Sequence, residues 1–329
     1  MNLEKKPILR VVRLKTYFIS FGGERIVKAV DDVSFEVSQG ERLAVIGESG
    51  CGKSTMALSI LRVLPPSARI MAGEIFFEGE DLLKKTPKEM ARIRGKKLSM
   101  ILQDTMLSLD PVFTIGYQIE ETLRRHTELR GEALHRRMKE LLLDVKIPGL
   151  ERRLKQFPHE MSGGMRQRIV GAIAFSCEPK LLIADEATTN LDVTIQLQYL
   201  NLLKDLQKKT GVTLLFITHN LGIVAELCES VIVMYAGKIV ERSPVMDIFD
   251  APAHPYTKAL LQAAFGLQDL SKRKPIPGEP PNLAKLPPGC SFHPRCTSAQ
   301  ELCRREEPRE ISLGPKRSVK CWCSVKNIH

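Results

Sequence analysis

The sequence predicts an α/β fold in which apolar strands end in polar groups at one edge of a sheet. Three features of the 329-residue chain lead to this prediction. A glycine-rich loop lies between an apolar run and a helix-length apolar stretch. Two later apolar runs end in the polar pairs Asp185-Glu186 and Thr218-His219. In open α/β sheets, ligands bind outside the carboxyl ends of the strands, so these three places are the candidates for one site.

The glycine-rich loop has the spacing of a phosphate-binding loop. It follows the apolar run 43–46 and precedes the apolar run 56–61. Glycines let the backbone curl around phosphates, and consecutive N–H groups at a helix N-terminus donate to them. A lysine in this position reaches the β- and γ-phosphates, and the serine that follows it ligates Mg²⁺. We therefore predict that a nucleoside triphosphate binds at Gly47, Ser49, Gly50, Cys51, Gly52, Lys53, Ser54 and Thr55.

The residues before the loop predict antiparallel strands. Short β-patterns cover Ile8–Leu14, Val27–Val30 and Val33–Val37, and residues 69–79 predict a β-hairpin. Three aromatic residues lie ahead of the loop, where the adenine ring of a nucleotide could stack on one of them; they are Tyr17, Phe18 and Phe21. Core packing of these rings is an equally good interpretation of the pattern.

The middle of the chain combines a strand, a helical insertion and a second anion site. A short apolar run ends in Gln103, which could reach a metal-bound water, although most glutamines are simply solvated. Residues 116–146 have apolar positions at helical spacing. Ser162-Gly163-Gly164 then precedes another helix and predicts an anion site at its N-terminus. One phosphate loop does not need this second site unless the nucleotide is shared between two subunits.

The strand ends beyond residue 180 supply candidate catalytic groups. Asp185 is placed to coordinate Mg²⁺, directly or through water, and Glu186 to activate a water molecule. His219 could contact the γ-phosphate and hold the attacking water, although a lone histidine is more often structural. Residues 231–240 predict a closing hairpin around Ala236-Gly237.

Composition narrows the cellular setting and the partners. The chain lacks the run of about 18 apolar residues that a membrane helix needs, and its first ten residues do not resemble a signal peptide. We therefore expect a cytoplasmic protein, or one held at the inner side of a membrane by a partner. The net charge is +11, but no Lys/Arg block is interleaved with aromatic residues, so we expect no nucleic-acid partner.

The C-terminal part has a different composition and most of the cysteines. Prolines are frequent beyond about residue 245, apart from one predicted helix at Tyr256 to Ala264. We predict two domains, 1–250 and 251–329. Four thiolates in a proline-rich segment suggest a metal centre, and their wide spacing favours a cubane iron–sulfur cluster over zinc, with free or disulfide-bonded thiols as a third alternative. The candidate ligands are Cys290, Cys296, Cys303 and Cys321, followed by Cys323, whereas Cys51, Cys177 and Cys228 are expected to be uninvolved.

Together, the order and spacing of these motifs resemble the ATPase subunits of ATP-binding cassette (ABC) transporters. A finer resemblance is to the ATPases of dipeptide and oligopeptide importers. It rests on Ala29-Val30-Asp31, the stretches 162–168 and 192–196, His254-Pro255-Tyr256-Thr257 and the tail 275–321. The resemblance implies a phosphate-loop NTPase domain of mixed sheet, antiparallel β subdomain and helical subdomain (about 105–175). A small Cys/Pro-rich domain follows it.

The resemblance also implies a role for each site residue. Lys53 and Ser54 hold phosphate and Mg²⁺, Asp185 assists Mg²⁺, and Glu186 is the general base. Gln103 senses the γ-phosphate, ligates Mg²⁺ and lies in the loop that touches the membrane subunits. Ser162, Gly163 and Gly164 form the family's signature motif, which caps in trans the γ-phosphate of the nucleotide that a partner ATPase binds. Asp192 belongs to the loop that crosses the dimer, and His219 positions the γ-phosphate. Phe18 best matches the aromatic residue that stacks on adenine, followed by Tyr17. Cys321 is the fourth cluster ligand, for which Cys323 could substitute.

By resemblance, the expected cofactors are ATP, Mg²⁺ and a [4Fe-4S] cluster, with Zn²⁺ as the alternative metal. The expected partners are a second homologous ATPase (as a heterodimer), two transmembrane permease subunits and, indirectly, an extracytoplasmic solute-binding protein. The chain would then lie on the cytoplasmic face of the membrane. An importer for nickel or oligosaccharides remains an alternative, as does an ABC ATPase that serves no transporter.

Overall fold

The computed structural model describes residues 6–20, 22–104, 108–188, 192–265 and 275–327. The predicted start of the helical subdomain, residue 105, and Phe21 lie outside these ranges. The chain divides into two compact units. The first unit consists mainly of Lys84–Phe216 together with Ser38–Glu41, and the second of Pro7–Val37, Arg42–Leu83 and the chain from Ile217 onward.

Twelve strands are present in the described residues. In chain order they are β1 Pro7–Ile19, β2 Ile26–Ser38, β3 Arg42–Ile46, β4 Ala68–Phe77, β5 Glu80–Asp81, β6 Leu98–Ile101, β7 Leu181–Asp185, β8 Thr213–Ile217, β9 Ser230–Tyr235, β10 Lys238–Pro244, β11 Ile311–Gly314 and β12 Arg317–Val319.

Eleven α-helices are present in the same ranges. They span Lys53–Leu61, Pro87–Ile93, Ile115–His126, Gly131–Asp144, Leu150–Lys155, Gly163–Phe175, Val193–Thr210, Leu221–Leu227, Val245–Asp250, Pro255–Phe265 and Glu301–Arg305. Each of these helices is too short or too polar to span a bilayer.

The second unit contains a sheet with the strand order β2-β1-β4-β5, in which β4 runs antiparallel to β1 and β5. The sequence divides β2 into two short strands around Asp31-Asp32, but the structure joins them. Asp31 is buried and accepts a hydrogen bond from the Tyr17 hydroxyl (2.7 Å), which compensates for its burial. Asp32 adopts a left-handed φ of 62°. The two acids therefore alter the strand locally without ending it.

The same unit contains strands in the order β11-β12-β10-β9-β3. Strand β3 is parallel to β9, whereas the pairs β9/β10, β10/β12 and β11/β12 are antiparallel. The predicted closing hairpin is present, because Ala236 and Gly237 turn the chain with φ values of 49° and 80°. The predicted helix in the tail is also present, as Pro255–Phe265.

The first unit contains the strands β8, β7 and β6, side by side in that order, with β6 parallel to β7. All five residues of β7 are buried, as a continuous apolar run in a parallel strand predicts. The helices that follow β6 confirm the helical insertion. In particular, Leu134, Met138, Leu141 and Leu142 form the buried face of Gly131–Asp144.

Candidate functional site

The glycine-rich loop connects β3 to the helix Lys53–Leu61 in the second unit. Gly52 stands at the helix N-cap with φ 105°, and Gly47 has φ 153°. A Cβ at Gly52 would lie 2.0 Å from the Ala29 carbonyl oxygen, and one at Gly47 would lie 2.3 Å from that of Met234. Both glycines are therefore required by close backbone approach as well as by conformation. The loop presents the first N–H groups of a helix to any anion above it.

Lys53 is buried and bonded to the loop that precedes it. Its Nζ donates to the Gly47 carbonyl oxygen at 2.8 Å and to that of Glu48 at 3.0 Å. The ammonium is therefore held over the loop, as a phosphate-binding lysine requires. Next to it, Ser54 and Thr55 are half-buried, while Ser49 and Gly50 are exposed.

His219 follows β8 and lies beside the strand that enters the loop. The preceding residue, Thr218, donates its N–H to the Val45 carbonyl oxygen at 3.2 Å. His219 itself is exposed. This places an accessible imidazole one residue beyond a β3 contact, in the same unit as the phosphate loop.

Of the two described candidates for adenine stacking, Tyr17 makes specific polar contacts. Its hydroxyl donates to Asp31, and the Lys28 ammonium lies 6.0 Å from its ring centroid. Burial, together with the adjacent Asp31, raises the pKa of Tyr17. Phe18 is half-buried and lies opposite Ala68 in the β1/β4 register. The choice between the two rings stays a prediction.

In the first unit, the acidic pair lies at the end of β7. Asp185 is the last residue of the strand and is 3% exposed, whereas Glu186 turns the chain with φ 44°. The Gln103 side chain donates from Nε2 to Glu186 Oε2 at 2.8 Å. The structure thus brings together two of the predicted site residues, which are separated by 83 positions in sequence.

The predicted second anion site is a capped helix start, also in the first unit. The Ser162 hydroxyl accepts from the Met165 N–H at 3.3 Å and caps Gly163–Phe175. Asp192 caps Val193–Thr210 in the same way, accepting from Ile195 at 3.0 Å. A Cβ added at Gly164 would lie 2.9 Å from Ile195 Cγ2, so the two helix N-termini are neighbours.

The cysteines of the tail lie in one neighbourhood. Cys303 and Cys321 are buried, and the Cys290 N–H donates to the Cys303 carbonyl oxygen at 2.8 Å. Burial and, to a lesser extent, the nearby thiols of Cys303, Cys321 and Cys296 raise the pKa of Cys290 to about 11. All eight cysteines of the chain are free thiols in the described ranges.

These thiols do not form a single-ion site. Within the described part of the chain, no three His, Cys, Asp or Glu side chains are arranged to hold one metal ion. In the described residues, the arrangement of these thiols therefore gives no support to a zinc site or to the predicted iron–sulfur cluster.

Three residues at or near the loop, Glu48, Tyr256 and Arg295, were not predicted as site residues from the sequence. Arg295, from the tail, makes two hydrogen bonds to the Glu48 carboxylate, at 2.6 and 3.0 Å. The Tyr256 hydroxyl accepts from the Glu48 N–H at 2.8 Å. Two sequence signals were present: Glu48 is the single charged residue between Gly47 and Lys53, and Tyr256 lies in the stretch 254–257 that carries the family resemblance.

The strand–loop–helix arrangement defines a phosphate-loop nucleotide-binding protein of the α/β class. Residues 30–189 match the ABC transporter family, and residues 240–303 match the family described as oligopeptide/dipeptide transporter, C-terminal region. The chain belongs to the ATP-binding subunits of the ABC transporter family, in the oligopeptide/dipeptide group. This confirms the resemblance drawn from the motifs.

Similar proteins cover nearly the whole chain. The probable peptide ABC transporter ATP-binding protein y4tR of Sinorhizobium fredii is 47% identical and covers 100% of both chains. The dipeptide transport ATP-binding protein DppD of Bacillus subtilis is also 47% identical, over 96% of this chain and 95% of its own. Among solved structures, the dimeric post-hydrolysis state of the cassette MJ0796 bound to ADP and Pi has a TM-score of 0.65 and 25% identity, over 72% of this chain and 98% of that one. The ABC cassette fold is thereby confirmed.

Proposed function

We propose that this chain hydrolyses ATP to power the import of dipeptides or oligopeptides through a membrane ABC transporter. One observation carries the proposal: the phosphate loop and the oligopeptide/dipeptide C-terminal region occur in a single chain. The relatives named as peptide and dipeptide transport ATP-binding proteins match it along almost their whole length.

The proposed chemistry is positioning and charge compensation at a phosphoryl group. Lys53 and the loop N–H groups bind the phosphates, and His219 holds the γ-phosphate. Glu186 takes a proton from the attacking water, while Gln103, already bonded to Glu186 at 2.8 Å, orients that carboxylate. Tyr17 or Phe18 stacks on adenine.

The proposal includes a Mg²⁺ ion. Mg²⁺ prefers oxygen ligands, and the proposed ones are the Ser54 hydroxyl, the Gln103 amide oxygen and the Asp185 carboxylate, which is buried. When bound, Mg²⁺ neutralises charge on the phosphate oxygens.

A second ATPase completes the site in this proposal. The capped helix start at Ser162, Gly163 and Gly164 offers N–H groups to the γ-phosphate held by the partner's phosphate loop. Asp192 lies beside this start and belongs to the segment that crosses the dimer. The partner is a second homologous ATPase, as a heterodimer. Two permease subunits and an extracytoplasmic solute-binding protein complete the transporter, on whose cytoplasmic face this chain lies.

Uptake in reconstituted vesicles tests the choice of cargo. The assembled transporter, with its permeases and solute-binding protein, would be supplied with a labelled dipeptide, a pentapeptide, Ni²⁺ or an oligosaccharide. We expect ATP-dependent uptake of peptide only, with no uptake when this chain carries Lys53→Ala. Uptake of Ni²⁺ or sugar without peptide would replace the proposed cargo while leaving the ATPase assignment intact.

We also propose that the tail holds a [4Fe-4S] cluster on Cys290, Cys296, Cys303 and Cys321. The proposal is supported by the shared neighbourhood of these thiols, in which the Cys290 N–H donates to the Cys303 carbonyl oxygen and the nearby thiols raise the pKa of Cys290. The domain boundary near residue 250 is part of the same proposal. The raised pKa of Cys290 means that binding must release a proton from this thiol.

Iron analysis of anaerobically purified protein tests the cluster. We expect about four irons per chain, the number in one cubane. Cys303→Ser should lose them, whereas Cys228→Ser, in the buried core of the cassette, should retain them. Comparison of Cys321→Ser with Cys323→Ser identifies the fourth ligand. Iron-free protein with stoichiometric zinc would refute the cluster.

A further inference from the structure

The segment between Cys290 and Cys296 carries an arginine that contacts the phosphate loop. Arg295 is the last residue of the 3₁₀ turn His293–Arg295 and immediately precedes Cys296. Its side chain is 5% exposed, and it ends on the carboxylate of Glu48, which is 22% exposed. The two residues are 247 positions apart in sequence. Two parallel N–H···O bonds between a guanidinium and a carboxylate form the strongest ion-pair geometry available to side chains.

Arg295 makes two further hydrogen bonds, which help to fix its position. Nε donates to the Pro277 carbonyl oxygen at 2.8 Å, and the Nη1 that bonds Glu48 also lies 3.3 Å from the Tyr235 hydroxyl. The guanidinium carbon lies 5.9 Å from the Tyr235 ring centroid. The buried guanidinium therefore makes a specific structural contact with Glu48, unlike a solvated ion pair at the protein surface.

The contact rests on a cluster of buried aromatic rings. Tyr235, Tyr256 and Phe292 are each at most 2% exposed, and their ring centroids are 4.6–5.3 Å apart. Tyr235 ends β9, where the preceding Met234 carbonyl oxygen touches Gly47. Tyr256 is the second residue of the helix Pro255–Phe265, and its hydroxyl accepts from the Glu48 N–H. The cluster therefore joins the tail to the first residues of the loop.

Glu48 is thus held at three groups: its carboxylate, its N–H and its carbonyl oxygen. Arg295 binds its carboxylate, Tyr256 its N–H, and Lys53 its carbonyl oxygen. Its N–H is occupied and is not offered to phosphate. Without Arg295, a carboxylate would stand uncompensated beside a loop that binds a triphosphate, and like charges repel strongly where solvent screening is weak.

We infer that Arg295 and Tyr256 are positioning residues of the nucleotide site, which act through Glu48 to fix the phosphate loop and to neutralise its one acidic side chain. The tail is then a part of the ATP-binding machinery. The inference rests on the proposed assignment of residues 47–55 as the nucleotide site.

Calorimetric binding of MgADP to the full chain tests the inference. Arg295→Met should raise the Kd about tenfold, the lower end of what a charge-assisted hydrogen bond contributes. Adding Glu48→Gln to Arg295→Met should restore the Kd to within about threefold of wild type, because a neutral amide no longer repels phosphate. A purely structural role for Arg295 predicts no such rescue. Arg305→Met is the matched control, since Arg305 is 73% exposed in a pair with Glu301 in the same tail, and it should leave the Kd unchanged.

Two milder variants keep the test decisive if Arg295→Met does not fold. Tyr256→Phe removes only the oxygen that accepts from Glu48, and Arg295→Lys keeps the charge but loses the fork; each should raise the Kd about threefold. Unchanged Kd values in these variants and in Arg295→Met, or an Arg295→Met defect that Glu48→Gln does not relieve, would overturn the inference. Lys53→Ala distinguishes a failure of the nucleotide-site assignment from a failure of the inference about Arg295 and Tyr256. Its loss of binding upholds the nucleotide site independently, whereas retained binding would remove both the site and the inference.

Discussion

The backbone at Glu186 adopts φ 44°, a conformation that costs a non-glycine residue about 1 kcal/mol or more. The strand before it is fully buried, and its carboxylate accepts from Gln103. Strained backbone recurs at active sites, but this chain has it elsewhere too, for example at Glu78 and Glu178. The role of general base for Glu186 therefore stays a prediction.

Glu186→Gln should separate binding from turnover. The amide keeps the size of the side chain but accepts no proton, so the ATPase rate should fall by at least about 100-fold. The affinity for MgATP should stay within about threefold of wild type. Glu140→Gln, an exposed acid on the helix Gly131–Asp144, is the control and should change neither quantity. A wild-type rate in Glu186→Gln would remove this residue from the mechanism.

A second prediction at this scale concerns His254, which is fully buried. Its Nδ1 accepts from the Tyr256 N–H at 3.0 Å, and burial lowers its pKa to about 3. An unfolded histidine titrates near 6.5. Between pH 6.5 and 3 the unfolded chain therefore binds a proton that the folded chain does not. As the pH is lowered through this range, the free energy of unfolding decreases by up to about 1.4 kcal/mol per pH unit.

Urea unfolding at several pH values checks this prediction. Between pH 6.5 and 5, wild type should lose about 2 kcal/mol more than His254→Asn, whose side-chain oxygen can accept from Tyr256 but does not titrate. Glu241, which accepts from the Ala253 and His254 N–H groups, has its pKa raised by burial and opposes the trend. The contribution of Glu241 cancels when wild type is compared with His254→Asn, because Glu241 is present in both proteins. Parallel pH profiles for the two would contradict the prediction.

At the scale of elements, the phosphate loop requires glycine for two reasons: neighbouring backbone leaves no room for a Cβ, and the backbone φ is positive. Gly52→Ala would place a Cβ 2.0 Å from backbone at Ala29, so the loop must shift. We expect this variant to lose MgADP binding by at least about tenfold, since the loop N–H groups move with it. Gly79→Ala is the control: its φ is similarly positive at 81°, yet nothing lies within 4 Å. It should cost about 1 kcal/mol of stability and leave binding unchanged. Equal binding by the two variants would contradict the loop assignment.

At the scale of the whole molecule, the capped start at Ser162 requires a partner. For this chain mixed with its partner ATPase, we expect activity per chain to rise with protein concentration, because a complete site needs both chains. Ser162→Arg in this chain should damage hydrolysis at the partner's phosphate loop more than at its own, whereas Lys53→Ala in this chain should do the reverse. An activity of this chain that is independent of dilution and of the partner would argue for a site contained in one chain.

The sequence by itself determined the local elements that carry chemistry. The spacing from Gly47 to Ser54 predicted the strand–loop–helix arrangement, and the buried run before Asp185 predicted β7. Ser162 before its glycines predicted a helix start, which the structure shows capped. These predictions succeeded because each depends on residues adjacent in the chain, where periodicity, glycine conformation and capping decide the outcome.

Only the tertiary structure decided how distant segments meet. It joined the two short strands predicted around Asp31 into β2, because the Tyr17 hydroxyl compensates for the burial of that acid. It added the tail strand β12 to β10, and it placed Arg295 on Glu48. Sequence spacing cannot predict such contacts, since a chain that closes over more than 200 residues leaves no local periodicity to detect. The partner of a buried charge is set by packing in three dimensions, and here that packing connects the cysteine-rich tail to the loop that binds phosphate.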